Sequence, residues 1–177
     1  FRKGSRGEGC SAKGRSRWMD EFVSTFTNRL DAKGRVSIPA PFRSVLAVDG
    51  FDGIYCCPTL DRQAIDAGGN RFRDIIRSSL ANFEPFSEDH EYLSTTLIGE
   101  SEIVKYDREG RVVLTDTIRE HAGIGDRVTF VGQGYKFQIW EPERFAAYRE
   151  EAKNRLRDLR RSLGSGRRPT GAAPEAA

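Results

Sequence analysis

The sequence lacks any apolar run long enough to cross a membrane. A membrane-spanning helix needs about 20 consecutive apolar residues, and no such run occurs among the 177 residues. Basic residues stand near the N-terminus, but no apolar stretch follows them, so this segment does not have the pattern of a secretory signal. These absences exclude an integral membrane protein, and we expect no membrane partner.

Cysteine and histidine are scarce, with three and two copies. Cys10 stands alone and Cys56 and Cys57 are adjacent, a spacing that fits neither a disulfide framework nor a zinc site. The scarcity favours a reducing compartment. A redox role for the adjacent pair is one interpretation, but a buried strand is the favoured one. His90 and His121 have no ligand-type neighbours, which predicts ordinary surface or cap residues.

Sequence motifs of common enzymes are also absent. The chain contains no G-x-S-x-G, no H-E-x-x-H and no phosphate-binding loop. The short "VGQG" at 131–134 lies in a hairpin-like context, so it does not indicate a dinucleotide site. We therefore expect no enzyme activity, no cofactor, no metal and no small-molecule substrate.

Charge is distributed unevenly around a formal net value of +3. Residues 1–18 hold six Lys or Arg against one Glu, and residues 145–177 hold eight against four acids. The stretch between them, 19–144, is therefore acidic overall. A basic isoelectric point alone is thus no argument for nucleic-acid binding here.

One pattern occurs twice. Residues 31–43 are "DAKGRVSIPAPFR" and residues 107–119 are "DREGRVVLTDTIR". Ungapped alignment gives five identical pairs, and apolar residues are kept at two further positions. The identical pairs are Asp31/Asp107, Gly34/Gly110, Arg35/Arg111, Val36/Val112 and Arg43/Arg119. This indicates an internal duplication, with two small units packed on one another in a pseudo-twofold sheet or barrel.

Each residue of the repeated turn suits a local task. Asp31 and Asp107 can accept hydrogen bonds from later backbone N–H groups, and the glycines can adopt positive φ. The arginine after each glycine is not needed by the turn. It either pairs with its own aspartate or projects towards a partner, for which a phosphate or a guanine edge fits its planar fork.

Hydrophobic periodicity supplies the remaining elements. Strand-like runs cover 22–30, 35–39 and 53–57, and the alternating stretch 127–140 predicts a hairpin. Residues 40–47 predict a short helical turn, Thr59–Ala67 a helix capped near Thr59 or Asp61, and Phe72–Phe83 a further helix. "EPFSEDHE" is interpreted as an acidic connector. Pro142 suits the start of a last helix, whose apolar face is formed by Phe145, Tyr148, Ala152, Leu156, Leu159 and Leu163.

The paired D-x-x-G-R turns and the stretch 121–145, "HAGIGDRVTFVGQGYKFQIWEPERF", resemble the MraZ family of bacterial transcriptional regulators, in the AbrB-like class. "RLDAKGRVSIPAPFR" at 29–43 is similar to the family's signature. The resemblance covers roughly residues 20–160. It implies a β-rich α+β fold of two swapped-hairpin units that form one barrel-like core, with flanking helices.

The resemblance also implies the organisation and the site. The expected segments are a disordered extension 1–18, a first repeat 24–71, a helix and connector 72–100, a second repeat 101–144, a C-terminal helix 145–163 and a disordered tail 164–177. Met19, the only methionine, is the expected natural start. The DNA-facing residues are Lys33, Arg35, Arg108 and Arg111, with Asp31, Gly34, Asp107 and Gly110 shaping the turns. Glu109 replaces Lys33 in the second copy, so that turn is less basic.

The function implied is that of a ring-shaped homo-oligomer in the cytoplasm and nucleoid. It would bind direct repeats in double-stranded DNA near the promoter of the division and cell-wall gene cluster. Two alternatives remain at this point. One is an oligomeric scaffold without operator specificity, which the acidic middle favours. The other is an AbrB-class antitoxin, against which the duplication argues.

Overall fold

The computed structural model describes residues 20–165. The predictions for residues 1–18 and for most of the tail lie outside this range, while Gly164 and Ser165 end the last helix. The elements in chain order are β1 Thr25–Arg29, β2 Arg35–Ser37, α1 Ala40–Val48, β3 Ile54–Pro58, β4 Ala64–Gly68, α2 Asn70–Leu80, α3 Glu88–Ser94, a π-helical turn Thr95–Gly99, β5 Glu102–Val104, β6 Arg111–Val113, α4 Asp116–Ala122, β7 Arg127–Gly132, β8 Phe137–Trp140 and α5 Pro142–Ser165. The predicted β-rich α+β class is confirmed.

The main sheet has six antiparallel strands in the order β1-β7-β8-β4-β3-β5. The first strand of each half of the chain pairs with a strand of the other half, β1 with β7 and β5 with β3. The central contact, β4 with β8, also joins the halves. Strands far apart in sequence therefore complete one sheet, and neither half forms it alone.

A separate ribbon of two strands, β2 and β6, follows the two repeated turns. Its central pair, Val36 and Val112, is almost wholly buried and belongs to the larger apolar core. That core also contains Phe42 and Leu46 of α1 and Ile118 of α4, together with Phe130, Phe137 and Ile139 of the sheet. The ribbon, α1 and α4 thus cover one face of the six-stranded sheet.

The opposite face of the sheet is covered by α2, α3 and α5. Alternation along β3 sends Tyr55 and Cys57 to this side, where they join a second apolar cluster with Phe72, Ile76 and Leu80 of α2. Leu93 of α3 packs against the same cluster. Farther along the sheet, Trp140 stacks on Tyr148 of α5, with ring centroids 4.9 Å apart. The prediction that Cys56 and Cys57 lie in a buried strand is confirmed.

The helix predicted at Thr59–Ala67 is wrong, because this stretch forms a hairpin turn and strand β4. The Thr59 hydroxyl donates to the carbonyl oxygens of Arg62 and Ala64 and closes the turn. Ile65 faces the larger core, and Asp66 on the other side accepts a hydrogen bond from Gln138, 2.8 Å away. The decisive partners lie about 70 residues along the chain, so local periodicity does not report them.

Three further differences concern the helices. Residues 40–48 form a nine-residue helix, longer than the single turn expected. The acidic connector runs into α3, which Ser87 caps by accepting from the His90 N–H. On the apolar face predicted along the last helix, Tyr148 stacks on Trp140, whereas Leu156 is 57% exposed. No helix within residues 20–165 is long and apolar enough to cross a membrane.

Candidate nucleic-acid interface

The first repeated turn is built around the Asp31 carboxylate. Its Oδ1 accepts from the backbone N–H groups of Lys33 and Arg35, at 2.8 and 3.0 Å, and its Oδ2 accepts from Arg35 Nε at 2.7 Å. Gly34 donates its N–H to the Asp31 carbonyl, with φ of +72°. A non-glycine residue rarely adopts that conformation, so the aspartate and glycine together define the turn.

The second turn repeats this geometry residue for residue. Asp107 Oδ1 accepts from the N–H groups of Glu109 and Arg111, both at 2.9 Å, and Oδ2 accepts from Arg111 Nε at 2.8 Å. Gly110 donates to the Asp107 carbonyl with φ of +73°. Each arginine is thus held by its own aspartate through Nε, which leaves the two Nη groups at the far end of the guanidinium.

These hydrogen bonds to the ionised form control the carboxylates. Donation from the Arg35 backbone N–H, followed by its side chain, lowers the pKa of Asp31 to about 2. The corresponding bonds from Arg111 lower the pKa of Asp107. The Asp107 carboxylate in turn raises the pKa of Arg111, with a smaller contribution from Asp31 in the other turn. Both carboxylates are therefore ionised at neutral pH, and Asp107 also stabilises the charged form of Arg111.

The ribbon brings the two arginines to the same side. The register pairs Arg35 with Val113 and Ser37 with Arg111 in antiparallel strands. Facing residues of such strands project to one face, so Arg35 and Arg111 share the face opposite the buried valines and lie diagonally across it. Diagonal neighbours are about 7–8 Å apart. The arginine side chains are 29% and 23% exposed.

The two turns differ in what remains available for a ligand. Arg111 Nη1 forms an ion pair with Glu109 Oε2 at 2.8 Å. Lys33 occupies that position in the first turn, and within the described chain the Nη groups of Arg35 have no hydrogen-bond partner. Lys33 and Arg108 are exposed in the turns, at opposite ends of the ribbon. The first turn therefore presents more free donors.

Two arginines that the sequence interpretation left without a role also border the ribbon. Arg43 in α1 lies against Gly110 of the second turn, and Arg119 in α4 lies near Gly34 of the first. Each repeat thus places a helical arginine beside the other repeat's turn. Arg43 and Arg119 are an identical pair in the alignment of the two repeats, which could have marked them as candidates for the site. The sequence does not indicate, however, that each arginine contacts the turn of the other repeat.

Chemistry of other kinds has no comparable assembly. Within residues 20–165, no group of three or more His, Cys, Asp or Glu side chains is arranged to hold a metal ion. Burial raises the pKa of the Cys57 thiol, which disfavours the reactive thiolate. His90 and His121 lie in α3 and α4, on opposite faces of the main sheet. The ribbon is the surface where arginines from both repeats are organised by their own carboxylates.

Comparison with known proteins assigns this chain to a family. A relative from Beijerinckia indica, named transcriptional regulator MraZ, is 60% identical over 158 residues, which cover 89% of this chain and 94% of the relative. This chain belongs to the MraZ family. The family profile described as "MraZ protein, putative antitoxin-like" matches residues 97–163. Relatives of the same name from Methylocella silvestris and Pelagibacter ubique are 58% and 39% identical, covering 83% and 80% of this chain and 90% and 92% of their own lengths.

Proposed function

We propose that this chain is a sequence-specific DNA-binding transcriptional regulator that inserts the β2–β6 ribbon into the major groove. The observation that carries the proposal is the placement of Arg35 and Arg111 on one exposed face of a two-stranded ribbon. The major groove admits such a ribbon, and arginine paired with guanine O6 and N7 is the commonest specific contact there. The relatives' name, transcriptional regulator, supports the same reading.

The residues of the ribbon divide the work of recognition. Arg35 and Arg111 read guanine edges, while Lys33 and Arg108 at the turn tips contact phosphates. Asp31 and Asp107 do not contact the duplex, because each carboxylate accepts hydrogen bonds from its own arginine and orients it. A diagonal of about 7–8 Å matches about two base-pair steps of 3.4 Å. The arginines therefore read guanines about two base pairs apart.

The excess of acid in residues 19–144 does not oppose this binding. Residues 78–104 contain six Asp or Glu and no Lys or Arg. Glu88, Asp89 and Glu91 of that stretch belong to α3, which packs on the sheet face opposite the ribbon. Charges separated by more than about 8 Å are largely screened at physiological salt. The duplex approaching the ribbon is therefore not opposed by the acids of α3.

Higher organisation follows the family resemblance. Residues 24–71 and 101–144 act as two swapped-hairpin units around a barrel-like core, since each half supplies strands to the other. Several chains form a ring, so that many ribbons contact direct repeats near a promoter. The target is the division and cell-wall gene cluster, and the protein works in the cytoplasm on the nucleoid.

The proposal is tested by fluorescence anisotropy on a duplex selected from a random pool. Replacing Arg35 with alanine removes one bidentate contact worth about 1–3 kcal/mol, so affinity falls about 5- to 150-fold and preference at one guanine is lost. Lys33→Ala weakens all duplexes alike and flattens the salt slope by about 0.9. The matched control is Arg77→Ala, an exposed arginine of α2 on the sheet face opposite the ribbon.

The competing scaffold function gives a different result in the same experiment. A scaffold without operator specificity enriches no sequence from the pool. The DNA proposal is wrong if no sequence is enriched, or if Arg35→Ala stays folded and keeps wild-type affinity for the enriched duplex.

A further inference from the structure

The second half of α5 is a basic helix whose residues 149–161 are all exposed in the described part of the chain. Contacts with the body of the subunit are made near its start, where Tyr148 stacks on Trp140 and Arg62 lies over the Tyr148 ring. Residues 152–161 contain five Lys or Arg and one acid. Because helices in proteins owe most of their stability to packing, a partner is expected on this half.

An apolar side chain lies within the basic half. Leu156 is 57% exposed, and its helical neighbours at i−3 and i+4 are Lys153 and Arg160. Within the described chain, Arg155 and Arg160 form no hydrogen bond or ion pair, whereas Lys153 pairs with Glu150. The neighbours at i−4 and i+3, Ala152 and Leu159, are apolar. The helix thus offers a narrow apolar strip flanked by cations, which fits an acidic surface that carries an exposed apolar group.

Such a surface is present elsewhere on the same chain. Residues 83–92, hereafter the acidic segment, contain four acids, no Lys or Arg and three aromatic side chains. Phe86 is 91% exposed and Tyr92 is 64% exposed. Phe86 also has φ of +66°, a conformation rare for a bulky residue. The Ser87 N–H donates to the Glu84 carbonyl at 3.0 Å and closes the turn that presents Phe86.

We propose that the basic half of α5 in one chain docks on the acidic segment of a second copy, in a head-to-tail contact. Opposite charges favour this pairing, whereas two copies of the basic helix repel each other. Arg155 or Arg160 over the Phe86 ring adds a cation–π contact. Because the contacting surfaces are different, the interface repeats from chain to chain and generates a ring or a filament. The inference rests on the assembly included in the proposed function.

The placement of both surfaces leaves the ribbon free. α3 and the start of α5 pack on the sheet face opposite the ribbon. A chain that docks on the acidic segment therefore lies on the face away from Arg35 and Arg111, so assembly and DNA contact are compatible. The same placement favours a protein partner over the duplex for the basic half, although a basic helix can attract phosphate without sequence preference. The experiment must therefore separate these two occupants.

Charge reversal on each surface provides the test. The helix variant is Arg155→Glu with Arg160→Glu, and the segment variant is Glu84→Arg with Glu91→Arg. All four positions are exposed, so circular dichroism should report an unchanged fold. Light scattering after gel filtration should give the assembled mass for wild type and the 19.9 kDa monomer for each variant.

A combined variant, a mixture and a control test whether the contact between the two surfaces is specific. Combining both reversals in one chain should restore the assembled mass. An equimolar mixture of the two single-surface variants should also restore the assembled mass, because the wild-type helix of one chain pairs with the wild-type segment of the other and the reversed helix pairs with the reversed segment. The control is Lys105→Glu with Arg127→Glu, which changes the net charge by the same amount as the helix variant. Both positions are exposed and lie outside the two proposed surfaces, so this control should stay assembled.

Several outcomes overturn the inference. It is wrong if the helix or segment variant keeps wild-type mass, if wild type is itself monomeric, or if the mixture stays monomeric. It is also wrong if the helix variant keeps its mass while losing affinity for a non-specific duplex, since the helix then binds DNA. Binding to a duplex with one site reports the DNA proposal separately, because Arg35→Ala should lose it while keeping the assembled mass.

Discussion

Replacing Glu109 with lysine should make the second turn resemble the first, which presents more free hydrogen-bond donors to DNA. Glu109 Oε2 holds Arg111 Nη1 at 2.8 Å, and Lys33 occupies the equivalent position in the first turn. The substitution frees that Nη1 for a guanine edge and places a cation where an acid faces the phosphates. The pair that is lost is worth little, since an exposed ion pair contributes about 0–1 kcal/mol.

The expected gain follows from these contacts. One additional charged hydrogen bond to DNA, less the lost ion pair, contributes about 1 kcal/mol or about fivefold in affinity at a single site. One additional phosphate contact steepens the dependence of log affinity on log salt by about 0.9. Raising salt fourfold should therefore weaken the variant about threefold more than wild type.

The assay is anisotropy titration of a labelled single-site duplex at several salt concentrations. Glu109→Gln separates the two contributions, because it frees Arg111 without adding a cation. Glu143→Lys makes the same charge change at an exposed position in α5 and should alter neither affinity nor slope. If Glu109→Lys matches wild type, or if Glu143→Lys gives the same gain, the second turn does not face the duplex and the ribbon assignment is refuted.

Two further predictions concern the turn itself. Asp31→Asn should lower the urea midpoint at neutral pH. Because the Asp31 pKa is lowered to about 2 from an ordinary 3.8, its contribution is complete above pH 3.8 and is lost as pH falls through 2. The difference from wild type should therefore shrink over that range, and a difference at pH 2 as large as that at neutral pH contradicts this. Gly34→Ala forces a side chain into the left-handed region at φ of +72° and should lower the free energy of unfolding in urea by about 1–2 kcal/mol. The control is Ala32→Gly, at an exposed position in the same turn. An equal loss of stability at both positions argues against a special role for Gly34.

The repeated turns show what a sequence can predict. An aspartate three residues before a glycine, followed by an alternating run, determines hydrogen bonds over five residues, and these bonds are found in both copies. The strands β1, β2 and β3, the hairpin at 127–140 and the helix α2 are equally local and were predicted. Such elements depend on side-chain alternation and backbone conformation within one segment.

Long-range pairing is where local patterns fail. The sequence around β4 predicted a helix, and Asp66 stands between apolar residues. Asp66 is nevertheless held in the sheet by Lys136 and Gln138, about 70 residues away. The exchange of strands between repeats, and with it the contact of Arg43 with Gly110, likewise has no local signature. The periodicity of α5 correctly predicted a helix with an apolar face, but it does not indicate which partner covers Leu156.

The free energy of discrimination that one ribbon can supply is small, which explains why assembly matters for the proposed regulator. Two bidentate arginine contacts supply about 2–6 kcal/mol of discrimination, whereas specific DNA recognition typically needs about 4–10 kcal/mol over non-specific binding. The Glu109 pair reduces the second arginine's share further. Linking ribbons through the proposed contact of α5 with the acidic segment raises avidity by a factor of about 100–10,000 without any new base contact. Selectivity for tandem repeats over single sites then arises from the spacing of ribbons, so losing that contact removes the operator preference while each ribbon still binds its own site.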